Sequence, residues 1–200
     1  MTSEASHWDQ RYSSGNTPWD TGLPSQELQR IICEHGIKPG RAMELGCGTG
    51  TNALWLASLG FDVTGIDLSG LAIGKASEKA VAATPRVKFL EADILNPPDL
   101  GGPYDFIFDR GCYHCVRRID ANRFLATLRT LIGPNSTALF LTGNARERQD
   151  PGPPVVTEEQ IRGEIGSVLE IVQLGEFRFD QPAENGVQFL GWSCLGRAKQ

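Results

Sequence analysis

From Arg41 to Thr142 short apolar runs alternate with stretches of helical spacing, and few architectures accommodate that order. Strand patterns fall at Arg41–Leu45, Asp62–Asp67, Val87–Glu91, Tyr104–Asp109 and Thr137–Thr142. Helical patterns fall between them, at Asn52–Leu59, Ser69–Ala83 and Ala121–Leu131. Strands joined through helices lie parallel in one sheet, with right-handed crossovers. The tail breaks the rhythm. Val168–Asp180 and Val187–Arg197 are strand-like, and the turn-forming stretch Gln181–Gly186 leaves no room for a crossover helix. A hairpin there inserts one antiparallel strand. The expectation is an α/β fold, a three-layer sandwich around a mostly parallel seven-stranded sheet with an antiparallel C-terminal strand.

Two further helices carry end signals. Ser25 can cap one whose apolar positions Leu28, Ile31 and Ile32 recur at helical spacing and which stops near Gly36. Thr157 with Gln160 makes a capping box for Glu158–Ile165, after a loop at Pro151–Pro154. Residues 1–24 hold Trp8, Tyr12 and Trp19 among the turn formers Gly15, Asn16, Pro18, Gly22 and Pro24. They read as an N-terminal lid or short helix ahead of a core at 25–200, within one domain of 200 residues.

A net charge of −5, with Lys and Arg scattered, argues against a nucleic-acid partner. No apolar run approaches the roughly 20 residues a bilayer span needs. The polar start, with Glu4 and Asp9, does not resemble a secretory signal. Five cysteines without framework spacing suggest reduced thiols and a cytoplasmic location, and the chain is expected to act as a monomer. Cys112 and Cys115 form a C-x-x-C pair, but Cys33, Cys47 and Cys194 are dispersed. A four-ligand zinc site has no second pair to draw on, so no metal is expected and the cysteines read as packing residues.

The strongest local signal is Glu44-Leu45-Gly46-Cys47-Gly48-Thr49-Gly50, between the first strand and a helix. A ligand approaches backbone closely where Cβ atoms are absent. A nicotinamide fingerprint wants glycine at the sixth motif position, which here is Thr51. Glu44 just before the loop would repel a pyrophosphate, whereas a sulfonium or ammonium group would prefer it. Asp67 ends the second strand, where a carboxylate can accept both ribose hydroxyls, and Asp93 follows the third, where it can accept from an adenine amino group. Either aspartate alone reads as a solvated cap. Together with the loop, at three successive strand ends, they mark a nucleoside site.

On these residues the chain resembles the class I S-adenosylmethionine-dependent methyltransferases, whose fold is Rossmann-like. The resemblance implies that Gly46, Gly48 and Gly50 shape the methionine side of the pocket with Glu44. It gives the ribose to Asp67 beside Leu68, the adenine to Asp93 with Ile94, and a place near the cofactor to Asp109.

Trp8, Tyr12 and Thr17-Pro18-Trp19-Asp20 narrow the likeness to the thiopurine/thiol/halide methyltransferase superfamily. There an N-terminal segment with aromatics at this spacing folds over the cofactor. Aromatic faces attract a sulfonium, and a cover keeps water from a reactive methyl donor. The plainer alternative is that Trp8 and Trp19 staple the N-terminus to the core. After the fourth strand, Arg110-Gly111-Cys112-Tyr113-His114-Cys115 departs from the aromatic, apolar segment of plant-type thiol and halide enzymes. His114 or Asp20 could take a proton from the acceptor, and Arg110 could orient it. Each also has a bland reading, a satisfied structural histidine or a solvated arginine. The expected reaction is methyl transfer from S-adenosylmethionine to a small thiol or related soft nucleophile, leaving S-adenosylhomocysteine. The alternatives are O- or N-methylation of a small acidic metabolite held by Arg110, and a non-catalytic S-adenosylmethionine-binding protein.

Overall fold

Strand β1 (Arg41–Leu45) is buried at Ala42, Met43, Glu44 and Leu45 in succession, so it has cover on both faces. That pattern marks the interior of a parallel sheet. The computed structural model describes residues 3–83, 87–147, 150, 152–182, 186 and 188–199. In it β1 lies between β2 (Asp62–Asp67) and β4 (Tyr104–Arg110), parallel to both. Beyond them stand β3 (Val87–Glu91) and β5 (Ile132–Asn144), again parallel. β7 (Leu169–Pro182) and β8 (Gln188–Ala198) complete the order β3-β2-β1-β4-β5-β8-β7.

β8 runs antiparallel to β5 and to β7, so β7 returns to the direction of the parallel set. One reversed strand is what the short tail connection demands. Part of the expected Gln181–Gly186 turn, and Val187 after it, lie outside the described residues. Among the described residues the sheet has eight strands rather than seven. The extra one, β6 (Val155–Val156), is two residues long and pairs with Gly143 and Asn144. No periodicity can declare so short a strand.

The helices lie on both faces. β4 alternates, sending Phe106 and Phe108 to one cluster and Ile107 to the other. The first cluster packs under α2 (Gln26–Glu34) and α3 (Thr51–Ser58), through Leu28, Ile31 and Leu56. The second packs under α5 (Tyr113–Leu131) and α6 (Glu158–Val168), through Phe124, Leu128, Ile161 and Ile165. Ser25 accepts from Leu28 N, and Thr157 and Gln160 close their capping box, each cap contributing about 1 kcal/mol. α5 begins earlier than the pattern at Ala121 suggests and is kinked at Asp120. Asp120 accepts from Arg123 N and so caps the second half, while a different aspartate starts the first. α1 (Ser3–Ser14) lies outside both core clusters, against α4 (Gly70–Ala83). Among the described residues no helix is long and apolar enough to cross a membrane.

Candidate active site

The carboxyl ends of β1, β2 and β4 form one edge, and the chain leaves β1 through three left-handed glycines. Their φ angles are 62° at Gly46, 54° at Gly48 and 77° at Gly50, conformations costly for any residue with a Cβ. A Cβ at Gly46 would stand 2.6 Å from that of Cys112, and one at Gly50 2.5 Å from the Phe89 ring. These two glycines are therefore required by the chain's own packing. A Cβ at Gly48 would meet the Tyr12 hydroxyl at 2.8 Å.

Asp67 holds this loop in place. Its Oδ2 accepts from Gly48 N at 2.8 Å and its Oδ1 from Ser69 N at 2.9 Å. Burial raises its pKa, against the pull of those amides. The carboxylate, with about four lone-pair sites, keeps room for a ligand hydroxyl beside these amides. Leu68 is half-buried beside it. Asp93, half-buried after β3, accepts from Leu95 N at 2.9 Å, and buried Ile94 receives the Thr127 hydroxyl on its carbonyl.

Glu44 is the most unusual group. It is 2% exposed; Oε1 accepts from Asn52 Nδ2 at 3.1 Å, and Oε2 has no hydrogen-bond partner. Burial pushes its carboxyl up to about 8, opposed by bonds from Asn52 and the Ala53 amide and by Arg110. A buried, unsatisfied carboxylate oxygen is costly, and it suits a cationic ligand group.

The N-terminal segment covers this loop. Trp8 and Tyr12 each meet Trp19 edge-on, with ring centroids 5.6 and 6.2 Å apart, and Trp19 Nε1 donates to the Tyr12 hydroxyl at 3.2 Å. Polar ties run from it to the sheet edge and α4. Asp9 Oδ1 accepts from Ser69 Oγ, the Tyr12 carbonyl from Lys75 Nζ, and Asp20 Oδ2 from Thr49 Oγ1. Burial and the nearby Asp67 keep the Tyr12 phenol protonated.

At the exit of β4, Asp109 is fully buried and accepts from Gly111 N and Tyr113 N at 3.1 and 2.8 Å. It builds the turn into α5, and burial lifts it to about 7. Arg110 turns the other way. Its Nη1 donates to the Trp19 carbonyl at 3.0 Å and its guanidinium lies 5.4 Å from the Phe179 ring centroid. Asp180, Glu44 and Asp20 favour its charge, while burial works against it and lowers its pKa. His114, 6% exposed, accepts from Gly143 N at its Nδ1, 3.0 Å away. Burial, then Arg110 and Arg118, depress it to about 3. The ring is neutral with its proton on Nε2, so it has no lone pair to offer unless the Gly143 bond breaks. Tyr113 points into the core and donates to Glu164 at 2.8 Å.

The structure thus brings together Trp8, Tyr12, Trp19, Asp20, Glu44, the glycines, Asp67 and Arg110, and gives Asp109 and His114 backbone partners. Sequence reasoning passed over Thr49, Asn52, Lys79, Phe179 and Asp180. Thr49 lies inside the glycine motif and Asn52 just after it. Asp180 lies near the end of a parallel-set strand, the same signal that singled out Asp67.

The thiopurine S-methyltransferase family model matches residues 3–189. A probable thiol methyltransferase of Arabidopsis thaliana is 30% identical, over 74% of this chain and 65% of its own length. A 2-heptyl-1-hydroxyquinolin-4(1H)-one methyltransferase of Mycobacteroides abscessus is 34% identical, over 72% of this chain and 65% of its own. Among solved structures, one that concerns the conversion of a disulfide bond into a thioacetal group during echinomycin biosynthesis shares the fold. Its TM-score is 0.82 at 24% identity, over 98% of this chain and 92% of that one.

Proposed function

The chain belongs to the thiopurine S-methyltransferase family, and from that premise we propose that it methylates a small thiol or a related soft nucleophile. As a member it is an S-adenosylmethionine-dependent methyltransferase of small molecules. When bound, S-adenosylmethionine supplies an electrophilic methyl group on a sulfonium. The residues present fit it. The unpartnered Glu44 Oε2 suits the cationic end of the donor, and the Gly48 backbone lies bare beneath the cover. Asp67, beside Leu68, would take the ribose hydroxyls, and Asp93 with Ile94 the adenine. Trp8, Tyr12 and Trp19 exclude water and present rings that tolerate a cation. Asp109 supports the site by fixing the first turn of α5.

The acceptor class rests on the pair at the β4 exit, a cation under aromatic cover beside a histidine held neutral. With the His114 ring committed to Gly143, the acceptor must give up its proton without an imidazole base. A thiol, with a pKa of about 8.5, does so in part at neutral pH, and an alcohol does not. Arg110 favours the thiolate by charge. His114 then positions the strand end rather than moving a proton. A second reading, O- or N-methylation of an acidic metabolite, gains support from the hydroxyquinolinone methyltransferase relative.

The test is the pH dependence of thiol methylation in Arg110→Gln. The rising limb, set by thiol ionisation, should move up by about one pH unit, the usual scale for losing a neighbouring charge. A limb that stays in place would remove Arg110 from the acceptor's surroundings and return the acceptor class to the open alternatives.

A further inference from the structure

Three residues from three parts of the chain meet at the edge of the cover. Lys79 Nζ, from α4, lies 2.6 Å from Thr49 Oγ1 in the glycine loop, which lies 2.8 Å from Asp20 Oδ2 in the N-terminal segment. An ammonium only donates and a carboxylate only accepts, so the direction of the chain is fixed. The Thr49 hydroxyl accepts from Lys79 and gives its own proton to Asp20, leaving none for a ligand. Thr49 is 5% exposed, and charged groups at both ends strengthen the bonds it makes.

The segment that carries Asp20 has a left-handed glycine at each side. Gly15 and Gly22 have φ of 73° and 71°, and a Cβ built on either meets nothing within 4 Å. Their left-handed turns serve the course of the backbone, not close packing. The stretch between them holds Trp19 next to Asp20. On the other side of Gly15, α1 is fastened separately, through Asp9 to Ser69 and through the Tyr12 carbonyl to Lys75.

We propose that Lys79, Thr49 and Asp20 form a latch that closes residues 16–21 over the donor site and places Trp19 there. Thr49 and Lys79 are then positioning residues for methyl transfer. They slow escape of the donor by holding the cover, without using a polar atom on the donor itself. The proposal rests on the donor site described above.

The test compares Thr49→Val, which keeps the shape and loses the hydroxyl, with Thr49→Ser, which keeps the hydroxyl, and with Lys79→Met. The readouts are S-adenosylmethionine affinity by calorimetry, its dissociation rate from stopped-flow tryptophan fluorescence, and acrylamide quenching of the free protein. Thr49→Val and Lys79→Met should each speed dissociation about tenfold, the scale of one hydrogen bond to a charged group. The double variant should be no worse than the poorer single one, because both break one chain. Thr49→Ser should recover most of the loss, and quenching should rise in Thr49→Val and Lys79→Met alone. Wild-type dissociation in Thr49→Val, or equal losses in the Val and Ser variants, would overturn the latch. If Thr49→Val fails to fold, the exposed Lys79→Met decides the matter by the same readouts. A wild-type protein that does not bind S-adenosylmethionine would instead overturn the donor site.

Discussion

Glu44 shows how a single residue can report on its ligand. Its raised pKa of about 8, far above the ordinary 4.5, leaves it largely protonated in the folded chain at neutral pH. A group raised in this way contributes stability that is complete below the unfolded value and lost as pH rises through the folded one. A cationic ligand reverses the balance, because it favours the carboxylate. Binding of S-adenosylmethionine near pH 7 should therefore release a proton, seen as a calorimetric heat that varies with the ionisation enthalpy of the buffer. Glu44→Gln should abolish that release and weaken binding by about 1.5–3 kcal/mol, the range for a hydrogen bond to a charged group. Proton release unchanged in Glu44→Gln would assign it elsewhere, with Asp109, at about 7, the next group to test. The acid before the glycines was legible because its place in the motif carries its chemistry. The role of His114 was not legible. Its partner is an amide on β5, and only the β4–β5 crossover through α5 brings the two together.

At the scale of elements, the N-terminal segment is fastened to the site and not to the main core. Apart from Tyr12 and Ala5 its described residues stay outside the buried set, and neither core cluster includes it. Deleting residues 1–22 should leave a cooperatively folding protein with a melting temperature within a few degrees of the full chain, since about 1 kcal/mol shifts Tm by a few degrees at this size. Donor affinity and turnover should both fall. A truncated protein with full affinity would contradict the cover. Trp8, Tyr12 and Trp19 were legible as a group by their spacing, but the polar fastening through Asp9, Lys75 and Thr49 was not. It depends on where α4 lies once the sheet has formed. α5 was half legible: the helical pattern from Ala121 gave its second half, while Asp109 serves the first from inside a strand pattern.

For the whole molecule, the strands at 41–45, 62–67 and 87–91 stand where their apolar runs predict. Buried strands of a parallel sheet have bounds set locally, by the turn residues at their ends. β5 extends to Ile132–Asn144 beyond the expected Thr137–Thr142, because pairing with β4, β6 and β8 extends it at both ends. Pairing is a tertiary property and leaves no trace in a local pattern. The residues of the proposed donor side could be named for the same reason that β1 to β3 could, since they stand at those strands' ends. The proposed acceptor side gathers Trp19, Arg110, Phe179 and Asp180 from segments far apart in the chain, and there the sequence offered alternatives. Those alternatives meet in one measurement: transfer of a labelled methyl group from S-adenosylmethionine to a matched panel of thiols, phenols, carboxylic acids and amines. The account predicts S-methyl products, with kcat/KM for the thiols at least about tenfold above any other class, the ratio that about 1.4 kcal/mol of barrier confers. Methylated oxygen or nitrogen products formed as fast as the thioethers would contradict it.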